Sequence, residues 1–172
     1  HYLADLQYEN MQVIGPIEWS EQEIEFAKNI NEGYPPGTAQ GNAAAFNLPA
    51  EMAAEPILSQ NYPAFDEGKV LTGSTDVGDL SWRTPLSMLM TSCWTTASVG
   101  HSWGIVATAG MSIGHKGMLH AAKIMALSAM DLYSDPRHIQ AARAEFEKEL
   151  AAHPYLNPIP AQINPPRVLP PA

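Results

Sequence analysis

Cationic side chains are scarce in this chain: nine Lys and Arg stand against eighteen Asp and Glu, for a formal net charge of −9. The nine are scattered, and a nucleic-acid interface needs them clustered against phosphates, so that class of function is excluded. Adhesion to anionic membrane is disfavoured for the same reason. Cys93 is the single cysteine, which rules out an internal disulfide and makes a reducing, cytoplasmic compartment the simpler expectation. No apolar run is long enough to span a bilayer, and the amino terminus lacks the basic-then-apolar pattern of a signal peptide. An initiator methionine is also missing, and His1 opens straight into a helical pattern, so a fragment or processed product is expected.

What is present suffices for a folded domain. The chain has 172 residues, 45% of them apolar, enough for one core. Helices are expected from Tyr2 to about Met11, stopped by Gly15-Pro16, and again after Ser20. There Ser20 and Glu23 have capping-box spacing and Trp19 can staple onto Ile24. Ile24, Ala27 and Ile30 share one face of that second helix. From Tyr34 to Gly68, Pro, Gly, Ala and Asn dominate, with one short helical piece between Pro49 and Leu58; so long a loop suggests a binding role or a surface covered by something else.

Lys69 to Thr72 reads as a short strand, and Leu86 to Thr96 as a buried one with two fairly apolar faces. Gly114 to Tyr133 is the strongest helix, with Met118, Ala122, Met125, Ala129 and Leu132 forming its apolar stripe. Asp135-Pro136 caps and begins a last helix, whose buried face is marked by Ile139, Ala142, Phe146 and Leu150. Beyond His153, seven of the fifteen prolines lie in an extended tail, so the expected division is 1–153 as folded segment and 154–172 as tail.

Four places carry candidate chemistry. His101, in Gly100-His101-Ser102-Trp103, follows the Leu86–Thr96 strand and is expected on a loop at a strand end, where ligands gather in open α/β sheets. A lone histidine can equally be a satisfied structural residue. His115 and His120 lie five residues apart on one helix, about 140° around its axis, too far to chelate one ion together. Ser74, Thr75 and Asp76, within Gly73–Asp79, read either as a turn facing a ligand or as a helix cap followed by charges favourable to the helix dipole. Spacing by itself favours the cap. Cys93 sits in a buried-strand pattern with nothing to lower its pKa, and so reads as a core residue rather than a nucleophile paired with His101.

These segments, taken with Gly114-His115-Lys116-Gly117-Met118-Leu119-His120-Ala121-Ala122-Lys123, resemble the carboxyl-terminal part of M20-family metallo-amidohydrolases, most closely the B-subunit line of p-aminobenzoyl-glutamate hydrolase. The resemblance runs from near the start to about Pro160 and is densest from Gly73 to Asp131. It implies an α/β fold: the last portion of a zinc-peptidase-like domain, helices on a mostly parallel sheet, without the lid or dimerisation domain. It also implies that His101 is a metal ligand and that Ser74, Thr75 and Asp76 line the substrate cleft. The implied reaction is metal-assisted hydrolysis of an aromatic acyl-amino acid such as p-aminobenzoyl-glutamate, with two zinc or manganese ions in the full-length enzyme and a glutamate moving the proton. A homodimer, or a heterodimer with a related subunit, is the expected assembly. The segments bearing the general base and most metal ligands are absent, so no catalytic residue is assigned within these 172 residues and the piece is expected to be inert alone. A dipeptidase, a general N-acyl-amino-acid hydrolase, and a non-catalytic α/β interaction module are the alternatives.

Overall fold

The computed structural model describes residues 1–64, 67–70, 75–160 and 162–163. Every regular element among them is helical: α1 Tyr2–Ile14, α2 Glu21–Glu32, α3 Thr38–Ala45, a 3-10 turn Ala50–Ala54, α4 Val77–Ser81, α5 Trp103–Ala109, α6 Ser112–Ser134 and α7 Pro136–Ala152. The expected α/β fold with its parallel sheet is therefore corrected to an all-helical one among the described residues.

The reason is a missing neighbour. Residues 85–93 form no helix, and burial alternates along them: Ser87, Leu89 and Thr91 are half-buried while Leu86, Met88 and Met90 face outward. That is how a strand looks from its side chains, but a strand is defined by backbone pairing. No described segment pairs its backbone with 85–93 in a ladder. Of the other expected strand, Lys69 and Val70 are exposed without regular structure, and Leu71 and Thr72 lie outside the described residues.

Local signals at helix ends were legible. Glu23 N–H donates to Ser20 Oγ at 3.2 Å, and Glu23 Oε2 accepts from Ser20 N–H at 2.7 Å, completing the capping box. Gly15, at φ 82, ends α1 in a conformation that most side chains avoid. Asp135 accepts from Arg137 N–H at 3.0 Å, with Pro136 in the first turn of α7. Trp19 and Phe26 pack on a small core of Ala27, Ile57 and Ile113, where α2 meets α6 and the chain after the 3-10 turn.

The long helix α6 organises the rest, packing against α1, α5 and α7. Its buried residues include Ile113, Gly117, His120, Ile124 and Ser128, a stripe next to the expected one. Met118, Met125 and Met130 are instead 57%, 54% and 63% exposed. Polar groups and a small residue select the inward face. Asn10 Nδ2 donates to Ser128 Oγ at 3.1 Å and to Asp131 Oδ2 at 2.7 Å, and His120 Nε2 lies 2.9 Å from the Gly15 carbonyl. These bonds tie α1 to α6; of the more apolar stripe, Ala129 and Leu132 are half-buried while the methionines face outward. On α7, Ala142 is buried as expected, Phe146 and Leu150 are half-buried, and Ile139 is exposed.

Glu23 is 6% exposed and ties α2 to α6 through Lys116, whose Nζ lies 2.6 Å from Oε2. Burial pushes the Glu23 carboxyl up, yet the Lys116 ammonium, the backbone and hydroxyl of Ser20 and the Ser112 hydroxyl together hold it at about 2.

Candidate functional site

His101 stands on an exposed turn between Gly100 and Ser102, directly before α5. Its φ is 60°, one of two non-glycine residues in left-handed backbone among the described residues. A histidine there bears a steric cost that glycine would not, and such strain persists only where the surroundings hold it. Here they do. Ser102 Oγ donates to the Val99 carbonyl at 2.6 Å, the Tyr34 hydroxyl lies 2.5 Å from Ser102 Oγ, and Gly104 N–H donates to the Tyr34 oxygen at 3.1 Å. The Tyr34 ring stacks on Trp103, centroids 5.1 Å apart and planes 7° from parallel.

The other expected site residues lie apart from this turn. Ser74 falls outside the described residues. Thr75 and Asp76 are exposed at the start of α4, where Thr75 Oγ1 accepts from Val77 N–H at 3.3 Å. That is a local turn bond to the residue two positions on; the N-cap position of α4 is Asp76, and no side chain caps it. No hydrogen bond among the described residues links Thr75 or Asp76 to His101. Cys93 is half-buried with its Sγ 3.8 Å from Thr91 Oγ1, and so belongs to the 85–93 run rather than to a nucleophile pair. His115 is exposed, while His120 is buried and held to Gly15.

A cavity of about 280 Å³ lies elsewhere again. It opens between α1, α3 and the 88–98 run, with Tyr8, Phe46, Tyr62 and Trp94 among its walls, and His101 does not line it. No group of three or more His, Cys, Asp or Glu side chains among the described residues is placed to hold a metal ion. The structure thus fits a divalent metal in one respect only: it presents a single solvent-facing imidazole on a fixed turn. A metal site ordinarily takes about three protein ligands, and no such group stands at this turn among the described residues.

Sequence reasoning missed Tyr34 and α5. Tyr34 sits in what reads as an uneventful loop entry before Pro35-Pro36, and its bonds to Ser102 and Gly104 span 68 and 70 residues. Only the aromatic Trp103 directly after His101-Ser102 hinted that an aromatic partner would be needed.

No family model matches the chain, and no solved structure matches it. Among curated proteins it is similar to the B-subunit of p-aminobenzoyl-glutamate hydrolase from Escherichia coli (strain K12), 32% identical over 174 aligned positions that cover 95% of this chain. The chain spans 36% of that relative's length. By name the relative is one subunit of a hydrolase. The resemblance read from the sequence is thereby borne out: over nearly its whole length this chain is similar to the B-subunit of p-aminobenzoyl-glutamate hydrolase.

Proposed function

We infer that this chain is part of a metal-dependent amidohydrolase acting on an aromatic acyl-amino acid such as p-aminobenzoyl-glutamate, and that it contributes His101 as one metal ligand. The observation that carries this reading is the imidazole of His101, exposed and held in left-handed backbone within a segment related to one chain of a hydrolase. A divalent ion, zinc or manganese, when bound supplies Lewis-acid polarisation of the scissile carbonyl. The role of this chain is to present an oriented lone pair and to keep the turn from collapsing. Within the same reading Ser74, Thr75 and Asp76 form a substrate-facing turn, an assignment resting on the resemblance. Two ions in the full-length enzyme, and assembly as a homodimer or with a related chain, belong to the proposal on the same ground.

The unpaired run 85–93 and the outward methionines of α6 support a piece that works inside a larger molecule. Both are surfaces that a folded protein ordinarily covers. No helix among the described residues is long and apolar enough to cross a membrane. A second reading, a helical interaction module without catalysis, is favoured by those same methionines.

Metal analysis of the full-length protein separates the two. His101→Ala is expected to lose bound metal and to lower kcat/KM by on the order of a thousandfold, as befits removal of several kcal/mol of charge stabilisation. Retention of stoichiometric metal in that variant would rule His101 out as an essential ligand. The 172-residue chain by itself, supplied with zinc or manganese, is expected to leave p-aminobenzoyl-glutamate intact. Turnover by the purified piece would overturn that expectation.

A further inference from the structure

We propose that Tyr34 is the positioning residue of the His101 turn, a phenol that latches the segment on both sides of the imidazole; this rests on the reading of His101 as a metal ligand. The hydrogen-bond directions fix one another. Gly104 N–H has only a proton to give, so the Tyr34 oxygen accepts it. The Val99 carbonyl can only accept, so the proton of Ser102 Oγ goes there. The remaining contact, between the Tyr34 hydroxyl and Ser102 Oγ, then has Tyr34 as donor. The result is a continuous run from Gly104 N–H through Tyr34 and Ser102 to the Val99 carbonyl, with every hydroxyl both giving and accepting. Its ends lie two residues before and three residues after His101.

Such a latch answers a definite physical need. Left-handed histidine relaxes toward ordinary backbone unless its flanks are over-determined, and an exposed turn has little packing to do this. The phenol supplies it from α2's trailing end, and the ring stack on Trp103 keeps the phenol in place. Space is matched as well. A Cβ on Gly104 would collide with the Tyr34 hydroxyl and lie 2.8 Å from Ser98 Oγ, so the backbone approaches the phenol as only glycine permits. Tyr34 needs no contact with metal or substrate; it acts through the backbone of residues 99–104. If the turn is competent to bind for only a fraction of the time, apparent affinity falls by that fraction.

The test measures zinc dissociation constants in the full-length protein, by competition with a chromophoric chelator well below the thermal midpoint. Tyr34→Phe keeps the ring stack and removes the hydroxyl. It is expected to weaken zinc binding about tenfold, in the range seen for residues that orient metal ligands. Ser102→Ala is expected to do the same, and the double variant to be no worse than either single one, because both cut one run. Where Tyr34→Phe fails to fold, Ser102→Ala carries the test. His101→Ala is measured alongside. Unchanged zinc affinity in His101→Ala sinks the ligand reading and the latch with it. A large loss in His101→Ala, with Tyr34→Phe and Ser102→Ala binding zinc like the parent, leaves the ligand in place and overturns the latch. A lower thermal midpoint with unchanged affinity in the folded protein assigns Tyr34 to packing, and overturns it too.

Discussion

Gly114→Ala and Gly117→Ala are each expected to lower stability by about 2 kcal/mol, whereas Gly41→Ala is expected to raise it by about 0.5 kcal/mol. All three glycines are helical, so each substitution gains the same conformational benefit in the unfolded chain. What differs is space. A Cβ on Gly114 would lie 2.6 Å from the Ala109 carbonyl carbon and 2.7 Å from its Cα, where the end of α5 meets α6 backbone to backbone. On Gly117 it would strike the Ser92 carbonyl oxygen and come within 2.6 Å of Cys93 Sγ. Carbonyl groups cannot swing away as side-chain tips do, so the helix itself has to move. Gly41, on α3, has nothing within 4 Å. Urea unfolding of the three variants beside the parent checks the signs. A stabilised Gly117→Ala would mean that the 85–93 run does not rest on α6 as described.

The second large effect concerns Glu23 and has a pH signature. Its carboxyl is held at about 2 in the fold, against an ordinary 4.5. The folded state therefore binds this proton less readily than the unfolded one. Its stabilisation is fully present above pH 4.5 and is lost as the pH falls through about 2. A gap of that size corresponds to roughly 3 kcal/mol at neutral pH as an upper figure. Glu23→Gln keeps the shape and the oxygen that accepts from Ser20 but removes the charge opposite Lys116, whose side chain is 38% exposed and can turn to water. About 2 kcal/mol is the expected cost at pH 7, below the roughly 3–5 kcal/mol of a fully buried broken pair because Lys116 is partly exposed. Between pH 4.5 and 2 the variant is expected to lose less stability than the parent. Parallel acid-unfolding curves would show that the carboxyl is not held as the geometry implies.

How much of this was legible from residues alone depended on the range of each interaction. The Ser20–Glu23 box, the Asp135-Pro136 start and the stop at Gly15 involve neighbours within a turn, so side-chain chemistry specified them. The alternation along Leu86–Thr96 predicts a buried strand, and burial does alternate from Leu86 to Thr91. Whether alternation becomes a sheet depends on a second backbone, which no periodicity in one segment can supply. On α6 the most apolar stripe predicts the core face, yet Asn10, Ser128 and Asp131 turn the neighbouring face inward. A buried amide with two acceptors outweighs methionines that can wait for another partner. At the candidate site, His101 was visible because Gly-His-Ser-Trp is an unusual run, whereas Thr75 makes only a turn bond ahead of α4 and does not form the cap that spacing suggests. Tyr34 was invisible, since nothing local to position 34 announces a bond to position 102.

The left-handed backbone at position 101 has one more consequence, for which side chains evolution or an engineer can place there. Glycine would release roughly 1 kcal/mol of backbone strain, and valine, isoleucine or threonine would add to it, so comfort alone steers the position toward glycine or asparagine. A His101→Gly protein is therefore expected to be the sturdier molecule and the poorer zinc binder. Selection for thermal robustness without a functional screen should drift toward that swap.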